Sequence, residues 1–311
     1  MSPAPDDSNS WHPITETLGP PTEQSELARR RAENARTMPA RVGHYEMLGL
    51  LGTGGAANVY SADDPTTGRA VAIKIARPGS NAAQFDLFRS EPQIAVACAH
   101  QNVIPVYATG EYESVPYFVM ELFAGGSMAE RVREPVPPCA ALQWVREVTR
   151  ALERVHARGF VHWDPKPGNV LLSADGTRVV LTDFGLALPI DGPAREFVAG
   201  TAAYMSPEQW EPTGAHGVGP LSDVFVLGGA LFHALTGQRP VEGHTMHEFA
   251  EAVRTSEPRR PSEARPDLGT GFDELCLRAL QRTPADRYQS AAAFGAALDA
   301  HLARLADEHA G

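Results

Sequence analysis

The sequence predicts an α+β fold in two unequal lobes, a small antiparallel β-sheet lobe with one helix and then a larger, mainly α-helical lobe. Three observations carry this expectation. Between Tyr45 and Ala76 short apolar runs alternate with turn residues, as in paired strands. Beyond Gly125 the apolar spacing lengthens to that of helices. The chain has 311 residues, 43% of them hydrophobic, which is enough to bury a core in both lobes.

Residues 1–43 combine Pro, Ser, Thr and Glu with few apolar side chains. Such a segment cannot bury enough surface to offset chain entropy, so a disordered tail is expected. Residues 23–38 within it are rich in Ala and Arg, and either a solvated arm or a docking segment for partners fits them. The small lobe should occupy 44–122. It holds strands YEMLGLLG, AANVYSA and RAVAIKIA, a helix over 85–99, and strands near 103–111 and 117–122. The large lobe, 125–306, should hold helices at 142–158, 223–236, 245–254, 272–281 and 291–306, with NVLL and VVLTD forming a hairpin.

The net charge of −11 argues against nucleic acid or anionic lipid as partners, since both need clustered cations. Cys98, Cys139 and Cys276 show no metal-ligand or disulfide spacing and read as buried thiols in a reducing compartment. His244 and His247 lie three apart on an expected helix without a third ligand, so no metal site is read there. No run reaches the ~18 apolar residues of a membrane span, and residues 1–30 lack the order of a signal peptide. The expected location is the cytoplasm.

Three constellations bear chemistry. In LGTGGAANVY, Leu51–Tyr60, Gly52 and Gly54 would let backbone N–H groups approach phosphates, although a plain hairpin has the same signature. Lys74 sits inside the apolar strand VAIK, and a buried ammonium needs anionic partners. Glu91 in the next helix is the evident carboxylate; a strand-end lysine reaching solvent is the alternative. HWDPKPGN, His162–Asn169, spaces Asp164, Lys166 and Asn169 as a proton acceptor, a cation for migrating charge and an amide for a metal. Asp183, in the triplet DFG at a strand end, could hold Mg²⁺ against phosphates.

In this order, Gly52–Val59, VAIK, Glu91, HxDxKxxN, DFG, GTAAYMSPE and SDVFVLG resemble the eukaryotic-type protein kinases over about residues 45–305. GTGG, YMSPEQ and LTGQRP are most similar to the bacterial serine/threonine branch, and Lys166 with Thr201 resembles serine/threonine rather than tyrosine kinases. The resemblance implies Mg-ATP as phosphoryl donor and Ser/Thr hydroxyls of proteins as acceptors. By similar position, Lys74 would hold the α- and β-phosphates and pair with Glu91. Asp164 would accept the proton, and Asn169 and Asp183 would bind Mg²⁺. Leu51, Val59, Ala72 and Leu171 would enclose adenine beneath the gatekeeper Met120, with the backbone of Glu121 and Phe123 on the base edge. Glu208 would pair with Arg287, Asp223 would anchor the catalytic loop, and His162 would pack in the core, as would Trp144 and Trp210.

Three departures stand out. Ala57 replaces the third loop glycine, a change expected to preserve ATP binding. Trp163 stands where most members place an arginine that meets an activation-loop phosphate, and residues 184–200 contain no Ser, Thr or Tyr. Activity is therefore expected not to depend on phosphorylation of that loop, although a mere packing role for Trp163 is compatible. Pro92 follows Glu91 inside the small-lobe helix, where proline costs roughly 3 kcal/mol. The Ser90/Gln93 spacing suggests that the helix restarts at Ser90, leaving Glu91 at a kink. A pseudokinase acting as a nucleotide-responsive binding module is the alternative supported by Trp163 and Pro92. A small-molecule kinase is opposed by the complete GTAAYMSPE segment, a platform for polypeptide substrates.

Overall fold

Period-two alternation organises the small lobe. In the computed structural model, which describes residues 38–192, 198–210 and 217–310, strand β4 (Arg69–Ala76) turns Val71, Ile73 and Ile75 to one face and Ala72, Lys74 and Ala76 to the other. β4 belongs to a six-stranded antiparallel sheet with β1 (Arg41–Val42), β2 (Tyr45–Thr53), β3 (Ala57–Asp64), β5 (Val106–Tyr112) and β6 (Val115–Glu121), ordered β1-β2-β3-β4-β6-β5. Val71, Ile73 and Ile75 pack with Tyr45, Met47, Tyr60 and Val119. The Ala72 face joins the main core through Phe118, Met120 and helix α1 (Ala82–Ala97).

The sheet corrects two boundaries. Arg41 and Val42, expected to lie within a tail reaching residue 43, instead pair with Glu46 and Tyr45. Residues 1–37, and with them nearly all of the Ala- and Arg-rich segment, lie outside the described residues. The strand expected from residue 103 starts at Val106. Pro105 has no N–H for the ladder, and Val103 instead bridges Leu181 in the large lobe, where Ile104 N donates to Leu181 O at 2.9 Å.

Helix α1 overturns the expected restart at Ser90. It runs unbroken through Pro92 and begins at a capping box made by Asn81 and Gln84. Ser90 Oγ instead donates back to Leu87 O at 2.7 Å. Burial of Phe88, Glu91, Pro92 and Ala95 on one face holds the proline in place. Tertiary packing outweighs the lost N–H bond.

The large lobe is built on α3 (Pro138–Ala157) and α4 (Pro220–Thr236). Leu142, Val145, Val148, Leu152 and Val155 repeat at three and four residues along α3 and form its buried stripe. α4 is buried on every side from Ser222 to Phe232, as its nearly unbroken apolar run dictates. Around them lie α2 (Met128–Arg131), α5 (Met246–Thr255), α6 (Pro261–Ala264), α7 (Gly271–Ala279) and α8 (Ala291–Ala310). Two small antiparallel pairs, β7 (Phe160–Val161) with β10 (Leu188–Pro189) and β8 (Val170–Leu172) with β9 (Val179–Leu181), frame the segments 162–169 and 182–187. His244 precedes the N-cap Thr245 rather than lying on the helix. Cys98 and Cys276 are buried, whereas Cys139 is exposed, contrary to expectation. Among the described residues no helix is long and apolar enough to cross a membrane.

One glycine fixes the approach of the lobe connection to the large lobe. A Cβ on Gly125 would lie 2.1 Å from Ser173 O and 2.5 Å from Leu172 O, while Gly125 N donates to Leu172 O at 3.0 Å. Gly125→Ala must therefore push backbone from backbone. Its unfolding free energy in urea is expected to fall by about 1–3 kcal/mol, and an unchanged midpoint would refute the contact.

Candidate functional site

Register places the first group of side chains. Val59 lies opposite both Gly52 and Lys74, and Ala72 opposite Met120, so these positions share one face of the sheet. Val59 and Leu171, both half-buried, pack against the core that contains Ala72, Met120 and Phe123. Leu51 sits at a bulge between β2 and β3 and is 47% exposed. At the loop tip Gly54 N donates to Ala57 O at 2.8 Å, and Ala57 is buried. A Cβ built on Gly52 would meet no protein atom within 4 Å.

Lys74 is the centre of a charged cluster. Its Nζ donates to Glu91 Oε1 and Oε2 at 2.7 and 2.9 Å and to Asp183 Oδ1 at 3.0 Å. The Glu91 carboxylate is thus at hand despite Pro92. Burial opposes the ammonium, but Asp183 and Glu91 outweigh it and hold Lys74 above the ordinary lysine range. Burial likewise opposes ionisation of Asp183, yet Lys74 holds that carboxyl at about 2. Asp183 stays ionised at neutral pH, and its side chain is 46% exposed.

A hydrogen-bonded path leads from Asp183 to Asp164. Thr182 N donates to Asn169 O at 2.9 Å, and Asn169 Nδ2 donates to Asp164 O at 2.9 Å and to its Oδ2 at 3.4 Å. Lys166 Nζ lies 3.2 Å from Asp164 Oδ2 and donates to Thr201 Oγ1 at 2.5 Å. Thr201 itself donates to Asp164 through both N and Oγ1, each at 3.3 Å. Trp163 and Asp183 hold positive φ of 79° and 64°, a strained backbone that persists only where the surroundings enforce it.

The support comes from the large lobe. Asp223 on α4 accepts from His162 N at 2.9 Å and Trp163 N at 2.7 Å, with His156 Nε2 2.7 Å away. His162 meets the Phe184 ring edge-on at 4.8 Å, and burial lowers its pKa. Glu208 pairs with Arg287 in a bidentate contact at 2.7 and 2.9 Å. Trp210 is buried, and Trp144 is half-buried with Nε1 donating to Gly176 O at 3.1 Å.

Sequence reasoning missed three participants. Gln209 donates to Trp163 O at 2.9 Å, His156 meets Asp223, and Arg178 pairs directly with Glu121 while its cation lies 5.0 Å from the Phe123 ring. None carries a local signature; each is defined by a partner at least 46 residues away.

The residues fit a nucleotide and a metal. The Phe123 N–H has no backbone acceptor among the described residues, which leaves a donor that a base edge could take. Among the same residues Asn169 Oδ1 accepts no hydrogen bond, and with Asp183 Oδ2 it offers the oxygen donors that hard divalent cations prefer.

Comparison with known proteins agrees with this geometry. Residues 45–297 match the family described as the protein kinase domain. The chain is 36% identical over 274 residues to the probable serine/threonine-protein kinase CE0033 of Corynebacterium efficiens, covering 82% of this chain and 41% of that one. It is 35% identical over 274 residues to the serine/threonine-protein kinase PknB of Mycobacterium leprae, covering 84% and 43%. Against the serine/threonine-protein kinase PknL of Mycobacterium bovis it is 35% identical over 269 residues, covering 84% and 66%. The chain thus spans less than two thirds of each of these relatives. With a matching domain over most of its length and a two-lobed α+β structure, the chain belongs to the protein kinase domain family.

Proposed function

We propose that this chain is a serine/threonine protein kinase that transfers the γ-phosphoryl group of Mg-ATP to protein hydroxyls, without needing a phosphate on its activation loop. The observation that carries the reading is Lys74 bridging Glu91 and Asp183, which links the small lobe to the metal-binding end of the cleft. The names and similarity of the relatives support serine/threonine as acceptors.

Each side chain has a task set by its surroundings. Lys74, kept charged by its two carboxylates, meets the α- and β-phosphates. Asp183 and Asn169 would hold Mg²⁺, which when bound neutralises charge on the phosphates. Asp164 receives the proton of the incoming hydroxyl as its oxygen bonds to the γ-phosphorus, while the bond to the β-phosphate oxygen breaks and ADP leaves. Lys166, 3.2 Å from Asp164, offsets the migrating charge. Thr201 orients Asp164 through two hydrogen bonds. Val59, Ala72, Leu171 and Leu51 line the adenine side beneath Met120, with Glu121 and Phe123 offering main-chain groups to the base.

The test is incubation of the full chain with γ-labelled ATP, Mg²⁺ and a generic Ser/Thr-rich protein, followed by site mapping. Label on Ser or Thr is expected, on the added protein or on Ser8, Ser10, Thr15 and Thr17, which lie outside the described residues. Chelation with EDTA should stop the transfer and added Mg²⁺ restore it. Absence of label on either protein would overturn the assignment in favour of a binding module.

A further inference from the structure

We propose that Trp163 is a positioning residue: its indole N–H, bonded to the carbonyl of Ala199, fixes the segment that places Thr201 on Asp164, so the site assembles without phosphate. The proposal rests on the kinase reading above and names the device that makes an activation-loop phosphate unnecessary.

Among the described residues, three hydrogen bonds hold Trp163. Its N donates to Asp223 Oδ1 at 2.7 Å, its O accepts from Gln209 Nε2 at 2.9 Å, and its Nε1 donates to Ala199 O at 2.9 Å. The residue is 4% exposed and held at φ 79°, which is unusual for so bulky a side chain. A buried indole N–H needs an acceptor, and here the acceptor is main chain from a segment 36 residues ahead. Two residues beyond Ala199, Thr201 reaches both oxygens of Asp164.

The intervening residue is suited only to glycine. Gly200 has φ +128°, where a side chain is strained, and a Cβ there would lie 3.1 Å from Met205 Cγ. The far end of the segment returns to the same tryptophan through Gln209, whose Oε1 accepts from Ser206 N at 2.9 Å and Ser206 Oγ at 3.0 Å. Ser206 and Gln209 are buried. At Trp163 the catalytic loop and the segment therefore meet through neutral hydrogen bonds to Ala199 and Gln209, beside the charged contacts that Lys166 and Asp164 make with Thr201. No cation at position 163 waits for an anion, and residues 184–200 have no hydroxyl to supply one.

Trp163→Phe keeps a buried aromatic ring but removes the N–H together with the five-membered half of the indole. Loss of one such bond predicts a kcat lower by about fivefold to tenfold, with the KM for ATP unchanged. Amide exchange in peptides spanning 199–206 should accelerate while peptides from α4 keep their protection, and phosphatase treatment of the wild type should leave kcat intact. Wild-type kcat together with wild-type exchange in Trp163→Phe would overturn the proposal. So would exchange that rises equally in α4, which marks a merely structural role, or a wild type inactivated by phosphatase. Should the wild type transfer no phosphate, the kinase reading fails and the exchange comparison alone still decides whether Trp163 holds the segment.

Discussion

Asp164→Asn is expected to lower kcat by about 10²–10⁴, the usual contribution of a general base, while the KM for ATP and the melting temperature stay near wild type. The substitution keeps the shape of the side chain and removes its capacity to accept a proton. The main-chain contact from Asn169 Nδ2 to Asp164 O, 2.9 Å long, does not depend on the carboxylate and should survive. Nucleotide affinity should survive as well, because the groups assigned to phosphate and metal are Lys74, Asp183 and Asn169. Asp183→Ala should behave differently. It removes a metal donor and one partner of Lys74, so the concentration of Mg²⁺ needed for half-maximal activity should rise along with the loss of rate. The two variants are separated by titrating Mg²⁺ at saturating ATP. A fall of less than tenfold in kcat for Asp164→Asn would remove Asp164 as proton acceptor.

How much of this could be read from the chain depends on the range of each interaction. Lys74 was legible because a charge inside an apolar strand violates the local pattern and demands partners. Asp164, Lys166 and Asn169 were legible because their spacing lies within one loop. The helix around Pro92 was not. Local rules place a boundary there, whereas the packed face of Phe88, Glu91 and Ala95 and the ion pair from Glu91 to Lys74 hold the helix continuous. Propensity lost to tertiary contact. The Trp163 bond to Ala199 was illegible for another reason: the departure at 163 and the missing hydroxyls were visible, but an acceptor that is main chain leaves no trace in residue identity. The early strand at 41–42 was similarly hidden, since two residues carry no periodicity.

Glu208→Ala should be the most damaging change to the fold, with an expected loss of about 3–5 kcal/mol, the range for breaking a buried ion pair from one side. Arg287 uses all five N–H groups: two on Glu208, and one each on Gln281 O, Leu221 O and Arg282 O at 2.7, 2.8 and 3.0 Å. Its side chain is wholly buried. Removing Glu208 leaves that guanidinium without a counter-charge and also strips Ser222 Oγ of its acceptor at 2.6 Å. The double variant Glu208→Leu/Arg287→Met should recover much of the stability, because it removes both charges together. The pH dependence has a definite sign. Burial opposes ionisation of Glu208, but Arg287 and Ser222 bring its folded pKa below the ordinary glutamate value. Its stabilising contribution is then present above that ordinary value and disappears as pH falls through the depressed one. Urea unfolding at neutral and acidic pH should show the gap between wild type and Glu208→Gln narrowing on acidification, and a gap independent of pH would show that Glu208 is not held as the anion.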